Sequence, residues 1–392
     1  MSLKDRVLNL LEERRNIILT GKINCIPSPF NRFRSDFVGI EKGRYYLLSA
    51  HQKCGKTQFT SYTFIYHPLE YAYNNPDKVK LKIFYYPLEE TKEEILLRYM
   101  SHLLFILSNF KIRISPVDLK STDERKPLSE EILELLKSEE YSKRIEFFEK
   151  CVQFREASNP TGMWKDMLNY AESTGTIHYK NIEYVDRDTG EIKTKRIFDY
   201  YEPDDPQEYV LILWDHAGLT GLERGLDLRQ SINKLSEYFV LLRNKYNFSP
   251  ILVYQQSTET QNLEAFKSNK IRPTVAGLSD SKYPARDCSI MLGLTNPYAF
   301  EVPNYCGYDI TKFKDNFRLL EIIVNRFGQS NGSIGLFFDG ATNYFSELPH
   351  PSDTSNIQKI ISWRDKVKHN MLFFIHYFKK MLKDNSKSIN NN

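Results

Sequence analysis

The chain has 392 residues, 41% of them hydrophobic and 27% charged, with a formal net charge of +4. That length holds one large domain or two modest ones, and the composition is that of an ordinary globular chain. The small net charge excludes a globally basic nucleic-acid coat, so any such binding must come from local patches. Five cysteines (Cys25, Cys54, Cys151, Cys288, Cys306) fall in no metal-like spacing and point to a reducing, cytoplasmic setting. The start, Met1-Ser2-Leu3-Lys4-Asp5-Arg6, lacks the plan of a signal peptide. The apolar run 371–378 is too short to span a bilayer, so no membrane association is expected.

In chain order, Leu3, Val7, Leu10, Leu11, Ile17 and Ile18 among charges predict an amphipathic helix over 3–18, capped by Ser2 and Asp5 and ended by Gly21. After a Pro-bearing loop come β-rich runs at 45–49, 81–86, 209–214, 251–254, 289–293, 319–324 and 334–338. Helices are predicted between them at 57–66, 92–107 and 226–246. Continuous apolar strands alternating with helices imply an α/β fold, a mostly parallel central sheet covered on both faces. The last two runs read as an antiparallel hairpin at its edge. Residues 108–180 read as charged helices, and 182–198 alternate around Asp188-Thr189-Gly190 as a hairpin. Both are read as one insertion, about 108–200, between two core strands. A helix is expected near 355–383, then a disordered tail from Asn385.

Within this frame, Ala50-His51-Gln52-Lys53-Cys54-Gly55-Lys56-Thr57, with Gln58 behind it, follows a strand and opens a helix. That is the phosphate-binding loop of nucleoside triphosphatases: backbone N–H groups at the helix start face the anion. Lys56 would reach the β- and γ-phosphates of ATP, and Thr57 would hold Mg²⁺. The plain alternative is a strand-turn-helix with a surface lysine. The strand 209–214 ends in Asp215, which could join Thr57 at the metal or simply start a turn. Glu89 lies just past the strand 81–86, placed to polarise water; it could equally favour the N-terminus of the next helix, with Glu90, Glu93 and Glu94. Gln256 ends another strand and could sense a γ-phosphate. Arg326, past a late strand, is either a trans-acting arginine finger or a surface residue in a turn.

Taken together, residues 22–346 resemble the RecA-like ATPase core of DnaB-type replicative helicases. The lead-in Ile26-Pro27-Ser28-Pro29-Phe30 followed by Gly39-Ile40-Glu41-Lys42-Gly43 is similar to the family's. So are Pro87-Leu88-Glu89-Glu90, Asp215, Gln256, Leu278-Ser279-Asp280-Ser281 and Asn325-Arg326 with Asn331-Gly332-Ser333-Ile334-Gly335. The resemblance implies residues 37–348 as the ATPase core, with a linker helix and loop before it (1–36) and a helical tail behind (349–392). It implies a homo-oligomeric ring, usually a hexamer, with ATP between subunits and single-stranded DNA through the centre. Glu89 becomes the general base, Gln256 the sensor and Arg326 the finger. The family's DNA loops fall near 218–229 and 257–281, which carry Arg224, Arg229, Lys267, Lys270 and Arg272. Primase or helicase-loader partners belong to the same expectation. The family's large N-terminal helical domain has no counterpart, its late Lys aligns with Asn325, and an Arg usual after the sensor aligns with Glu259. Two other readings stay open: a RecA/RadA-like recombinase or strand-annealing ATPase, to which Asn325-Arg326-Phe327-Gly328 is also similar, and a non-hydrolysing ATP-binding scaffold or loader.

Overall fold

The computed structural model describes residues 2–257 and 271–369. The tail beyond 369, Glu259, Lys267 and Lys270 therefore lie outside the described residues. The first half contains α1 (Leu3–Leu19), β1 (Cys25–Pro27), β2 (Gly39–Glu41), β3 (Tyr46–Ala50), α2 (Lys56–Ser61), α3 (His67–Asn74), β4 (Lys80–Pro87) and α4 (Lys92–Leu107). Next come α5 (Pro116–Leu119), α6 (Glu130–Lys137), α7 (Glu139–Cys151), β5 (Val152–Phe154), α8 (Pro160–Ser173), β6 (Gly175–Val185) and β7 (Ile192–Pro203). The remainder holds β8 (Glu208–Asp215), α9 (Leu228–Tyr246), β9 (Ser249–Gln255), β10 (Ile290–Thr295), β11 (Asn304–Tyr305), β12 (Tyr308–Asp309), β13 (Phe317–Asn325), β14 (Ser333–Asp339) and β15 (Tyr344–Glu347), with a last helix at Thr354–His369.

Nine strands form the main sheet in the order β15-β14-β13-β10-β3-β9-β8-β4-β5. The six from β10 to β5 run parallel, and β13, β14 and β15 turn back antiparallel. The central strands are buried on both faces, which is why β3, β8 and β9 read as unbroken apolar runs. On one face Leu48, Leu211 and Val253 meet Phe59, Phe64 and Leu103 from α2, the turn after it and α4. On the other, Leu47, Ile212 and Leu252 meet Ile232, Phe239 and Leu242 of α9 and Met163 and Met167 of α8. Helix α9 opens on an Asp227–Gln230 capping box and closes on Asn247, whose positive φ ends the helical path.

Four departures from the sequence expectations have physical causes. The helix expected at 57–66 runs on to Asn74, because Tyr62–Tyr66 continues it as a π-turn. The insertion supplies a core strand: β5 pairs in parallel with β4 and forms one border of the sheet. Its three residues are too few to show a strand period. The β13–β14 hairpin is not the outer edge either, since β15 pairs with β14 through Phe338↔Phe345. The β6–β7 ribbon is longer than 182–198 and pairs from Gly175↔Pro203 to Val185↔Ile192. Helix α1 keeps its predicted Ser2–Asp5 capping box but leaves Val7, Leu8, Leu10, Leu11, Ile18 and Leu19 exposed. Among the described residues, no helix is long and apolar enough to cross a membrane.

Candidate active site

Parallel strands deliver their ends to one sheet edge, and three deliver the site. β3 ends at Ala50 and the chain turns through the loop 51–55 into α2. Gly55 holds φ +91°, a left-handed conformation that favours glycine, and it places Lys56 as the first helical residue. The helical rod is continuous from Lys56 to Asn74, so the loop leads directly into its N-terminus, the positive end of the helix dipole. His51 is buried with its ring edge-on to Phe300 at 5.4 Å, while Gln52 and Lys53 are exposed. Cys54 is a buried filler whose thiol donates to the Leu294 carbonyl at 3.1 Å, and burial pushes its pKa up to about 11. Gln58 is half-buried in the first turn.

β8 ends at Asp215, in register with Pro87 of β4. The Leu88 N–H donates to the Asp215 carbonyl at 2.9 Å, which locks the start of the Glu89 segment beside Asp215. The Asp215 side chain is buried, with Oδ2 accepting from the Tyr85 hydroxyl at 3.3 Å. Burial pushes its pKa up to about 7, with Glu90 and Glu89 adding to the rise and the Thr57 hydrogen bond and Lys56 opposing it. Among the described residues, its Oδ1 is buried without a hydrogen-bond partner. A carboxylate oxygen in that state, beside the Thr57 hydroxyl, fits a divalent cation. Burial lowers the Lys56 ammonium from its usual pKa, while Cys54, Asp215 and Glu89 hold it up. The structure thus brings Lys56, Thr57, Asp215 and Glu89 into one electrostatic cluster.

The two adjacent glutamates separate in role. Glu90 is gripped by both terminal nitrogens of Arg98 and is spent as an ion pair. Glu89 is 59% exposed, with His216 Nε2 4.0 Å from its Oε2. His216 in turn accepts the Gly218 N–H on Nδ1 at 3.1 Å, so its ring is fixed with Nε2 towards Glu89. The Trp214 indole donates to Thr220 at 3.1 Å and steadies the turn that follows Asp215.

Gln256 shares the sheet edge of the loop, its backbone N–H donating to the Ala50 carbonyl at 3.0 Å, whereas Arg326 is placed elsewhere. Gln256 donates to Ser49 Oγ at 2.8 Å and to the Thr274 carbonyl at 3.0 Å, and accepts the Thr274 N–H at 3.2 Å. Strand alternation puts Gln255, like Val253 and Ala50, on the α2 face, and Gln256 on the other. The Gln256 amide therefore ties β3 to the segment after residue 270. Arg326 sits at the opposite sheet edge, because β13 runs antiparallel to β10 and Asn325 lies against Ile290, which lies against Tyr46. From Tyr46 to Ala50 is a strand length of roughly 13 Å. Arg326 donates from Nε to the Cys288 carbonyl at 2.8 Å and makes no ion pair among the described residues. Arg224 and Arg229 are exposed around the start of α9, and Arg272 stands 3.8 Å from the buried Glu321.

Sequence reasoning missed Arg318, His216 and the Arg98–Glu90 pair. Arg318 is 2% exposed under the loop 51–55 and donates from Nε to the Cys54 carbonyl at 2.7 Å. Its only trace in the sequence is a charge opening the apolar run 319–324.

No protein-family model matches the chain, and no curated protein matches it. Among solved structures, one described as an ATPase domain aligns over 89% of this chain and 99% of its own, with a TM-score of 0.61 and 16% identity. A DnaB-like replicative helicase, described with its interactions with primase, aligns over 89% of this chain and 67% of its own, with a TM-score of 0.58 and 16% identity. At that identity the likeness is one of fold, and the chain has the RecA-like α/β fold of DnaB-like helicase ATPase domains.

Proposed function

We propose that this chain is an ATP-hydrolysing DNA helicase core that works as a ring, usually a hexamer, translocating 5′ to 3′ on single-stranded DNA. One observation carries the reading. Lys56, Thr57, Asp215 and Glu89 cluster at one sheet edge, whereas Arg326 stands at the other. A site built that way lacks its transition-state cation until a second copy supplies it. The exposed apolar side chains of α1 also suit cover by a neighbouring subunit.

In this mechanism the loop N–H groups and Lys56 bind the phosphates of ATP. Thr57 and Asp215 would hold Mg²⁺, which when bound neutralises charge on the β- and γ-phosphates. Glu89 accepts the proton of the attacking water, steered by His216. Arg326 of the adjacent copy meets the charge that develops on the transferring phosphoryl group. The Gln256 bridge carries the change at β3 to the segment after residue 270, where Arg272 joins Arg224, Arg229, Lys267 and Lys270 in neutralising DNA phosphates without reading bases. A primase or helicase loader is the partner class that fits such a ring.

The test is DNA-stimulated turnover. Single-stranded DNA raises ATP hydrolysis by the purified protein, which also displaces an oligonucleotide annealed beside a 5′ single-stranded tail. Lys56→Ala does neither. An unchanged rate in Lys56→Ala sinks the mechanism, and ATP binding without DNA-stimulated turnover restores the scaffold reading. Images with ATP and DNA that contain filaments instead of closed rings favour the recombinase reading, which Asn325-Arg326-Phe327-Gly328 keeps open.

A further inference from the structure

We propose that Arg318 is a positioning residue for the phosphate loop, a permanent buried cation that sets the direction of the loop's anion-binding N–H groups. The inference rests on the loop's role as a triphosphate site. Arg318 is the second residue of β13, two strands away from β3, yet its guanidinium reaches beneath the loop. Nε donates to the Cys54 carbonyl at 2.7 Å. Nη1 donates to the carbonyls of Asp315 at 2.8 Å and Phe317 at 2.7 Å, and Nη2 donates to Asp315 Oδ1 at 3.2 Å. Asn296 Nδ2 holds that same carboxylate oxygen at 2.9 Å. The guanidinium carbon lies 4.6 Å from the centroid of the Phe338 ring, and that ring's tip would be 3.6 Å from a Cβ at Gly55. Gly55, the Phe338 ring and Arg318 therefore stack as loop, floor and cation.

The consequence follows from peptide geometry. A trans peptide unit is planar, with its C=O and N–H pointing opposite ways. Arg318 draws the Cys54 carbonyl inward, so the N–H of Gly55 on the same peptide is turned outward, to the side where phosphate must lie. A planar guanidinium engages Cys54, Phe317 and Asp315 together; a lysine ammonium is a point charge without that fork. Arg318 touches no phosphate, so its effect is to be read as nucleotide affinity and not as chemistry.

The experiment titrates a fluorescent ATP analogue and ADP against wild type, Arg318→Met, Arg318→Lys and Lys56→Ala, with melting temperature and circular dichroism as folding checks. Losing a charge-assisted hydrogen bond of this kind raises the Kd and KM for ATP in Arg318→Met by about 10- to 100-fold. Its kcat at saturating ATP stays close to wild type. Arg318→Lys falls between the two and carries the test if Arg318→Met does not fold. A folded variant with wild-type nucleotide affinity and only a lower melting temperature overturns the inference. If Lys56→Ala still binds nucleotide normally, the phosphate-loop reading itself fails, whatever the Arg318 variants do.

Discussion

Arg326→Ala keeps nucleotide affinity and slows ATP turnover by about 10³- to 10⁵-fold, the range an arginine finger contributes. The size follows from geometry. The Arg326 side chain spends one donor on the Cys288 carbonyl and leaves its guanidinium nitrogens without an ion pair among the described residues. Its own chain offers it no triphosphate, since the phosphate loop lies at the other end of β3. Mixing variants separates trans from cis action. Lys56→Ala subunits still carry Arg326, and Arg326→Ala subunits still carry an intact loop. An equal mixture that assembles at random restores roughly a quarter of the interfaces. Measured turnover of the mixture therefore exceeds that of either variant alone. Equal, negligible turnover in all three places Arg326 in its own chain's site, and wild-type turnover in Arg326→Ala places it outside the reaction.

Glu89→Gln lowers turnover by about 10²- to 10⁴-fold, the usual contribution of a general base, with ATP binding retained. The adjacent Glu90 cannot take its place. Both Glu90 oxygens are occupied by Arg98, and Glu90 is half-buried where Glu89 is exposed. Glu90→Gln, which breaks that pair, thus costs stability more than chemistry, so the two isosteric variants should diverge: Glu89→Gln in kcat, Glu90→Gln in melting temperature. Single-turnover hydrolysis by Glu89→Gln at the wild-type rate would remove Glu89 from the mechanism.

The parallel half of the sheet was legible because burial on both faces leaves unbroken apolar runs, as in Tyr209–Trp214, and the residue closing such a run is conspicuous when it is charged. Lys56, Thr57, Glu89 and Asp215 all stand at the end of a run or just past it. What escaped depends on pairing across long stretches of chain. Arg318 contacts a carbonyl 264 positions away, and nothing local to Phe317-Arg318-Leu319 signals it. β5 and β15 are three and four residues long, too short for a period to show, and only their neighbours β4 and β14 make them strands. Gln255 and Gln256 are alike as letters, and strand alternation alone sends them to opposite faces.

The β6–β7 ribbon has a further consequence for how this chain tolerates change. Its two ends meet: Gly175 lies opposite Pro203, and the Asp204 N–H donates to the Thr174 carbonyl at 2.9 Å. Its inner rungs, Ile177, Phe198 and Tyr201, pack against the core face that holds Tyr246 and Phe248, whereas Val185 and Ile192 near the tip are exposed. The outer half is therefore a pendant joined to the body by adjacent strands, and cutting it away opens no gap in the nine-stranded sheet. Replacing residues 182–195 by a two-residue turn leaves ATP turnover near wild type, a result checked by the same assay. The turn 186–191 is where a protease should nick the folded chain, and where a tag or a foreign domain could be carried without disturbing the nine-stranded body.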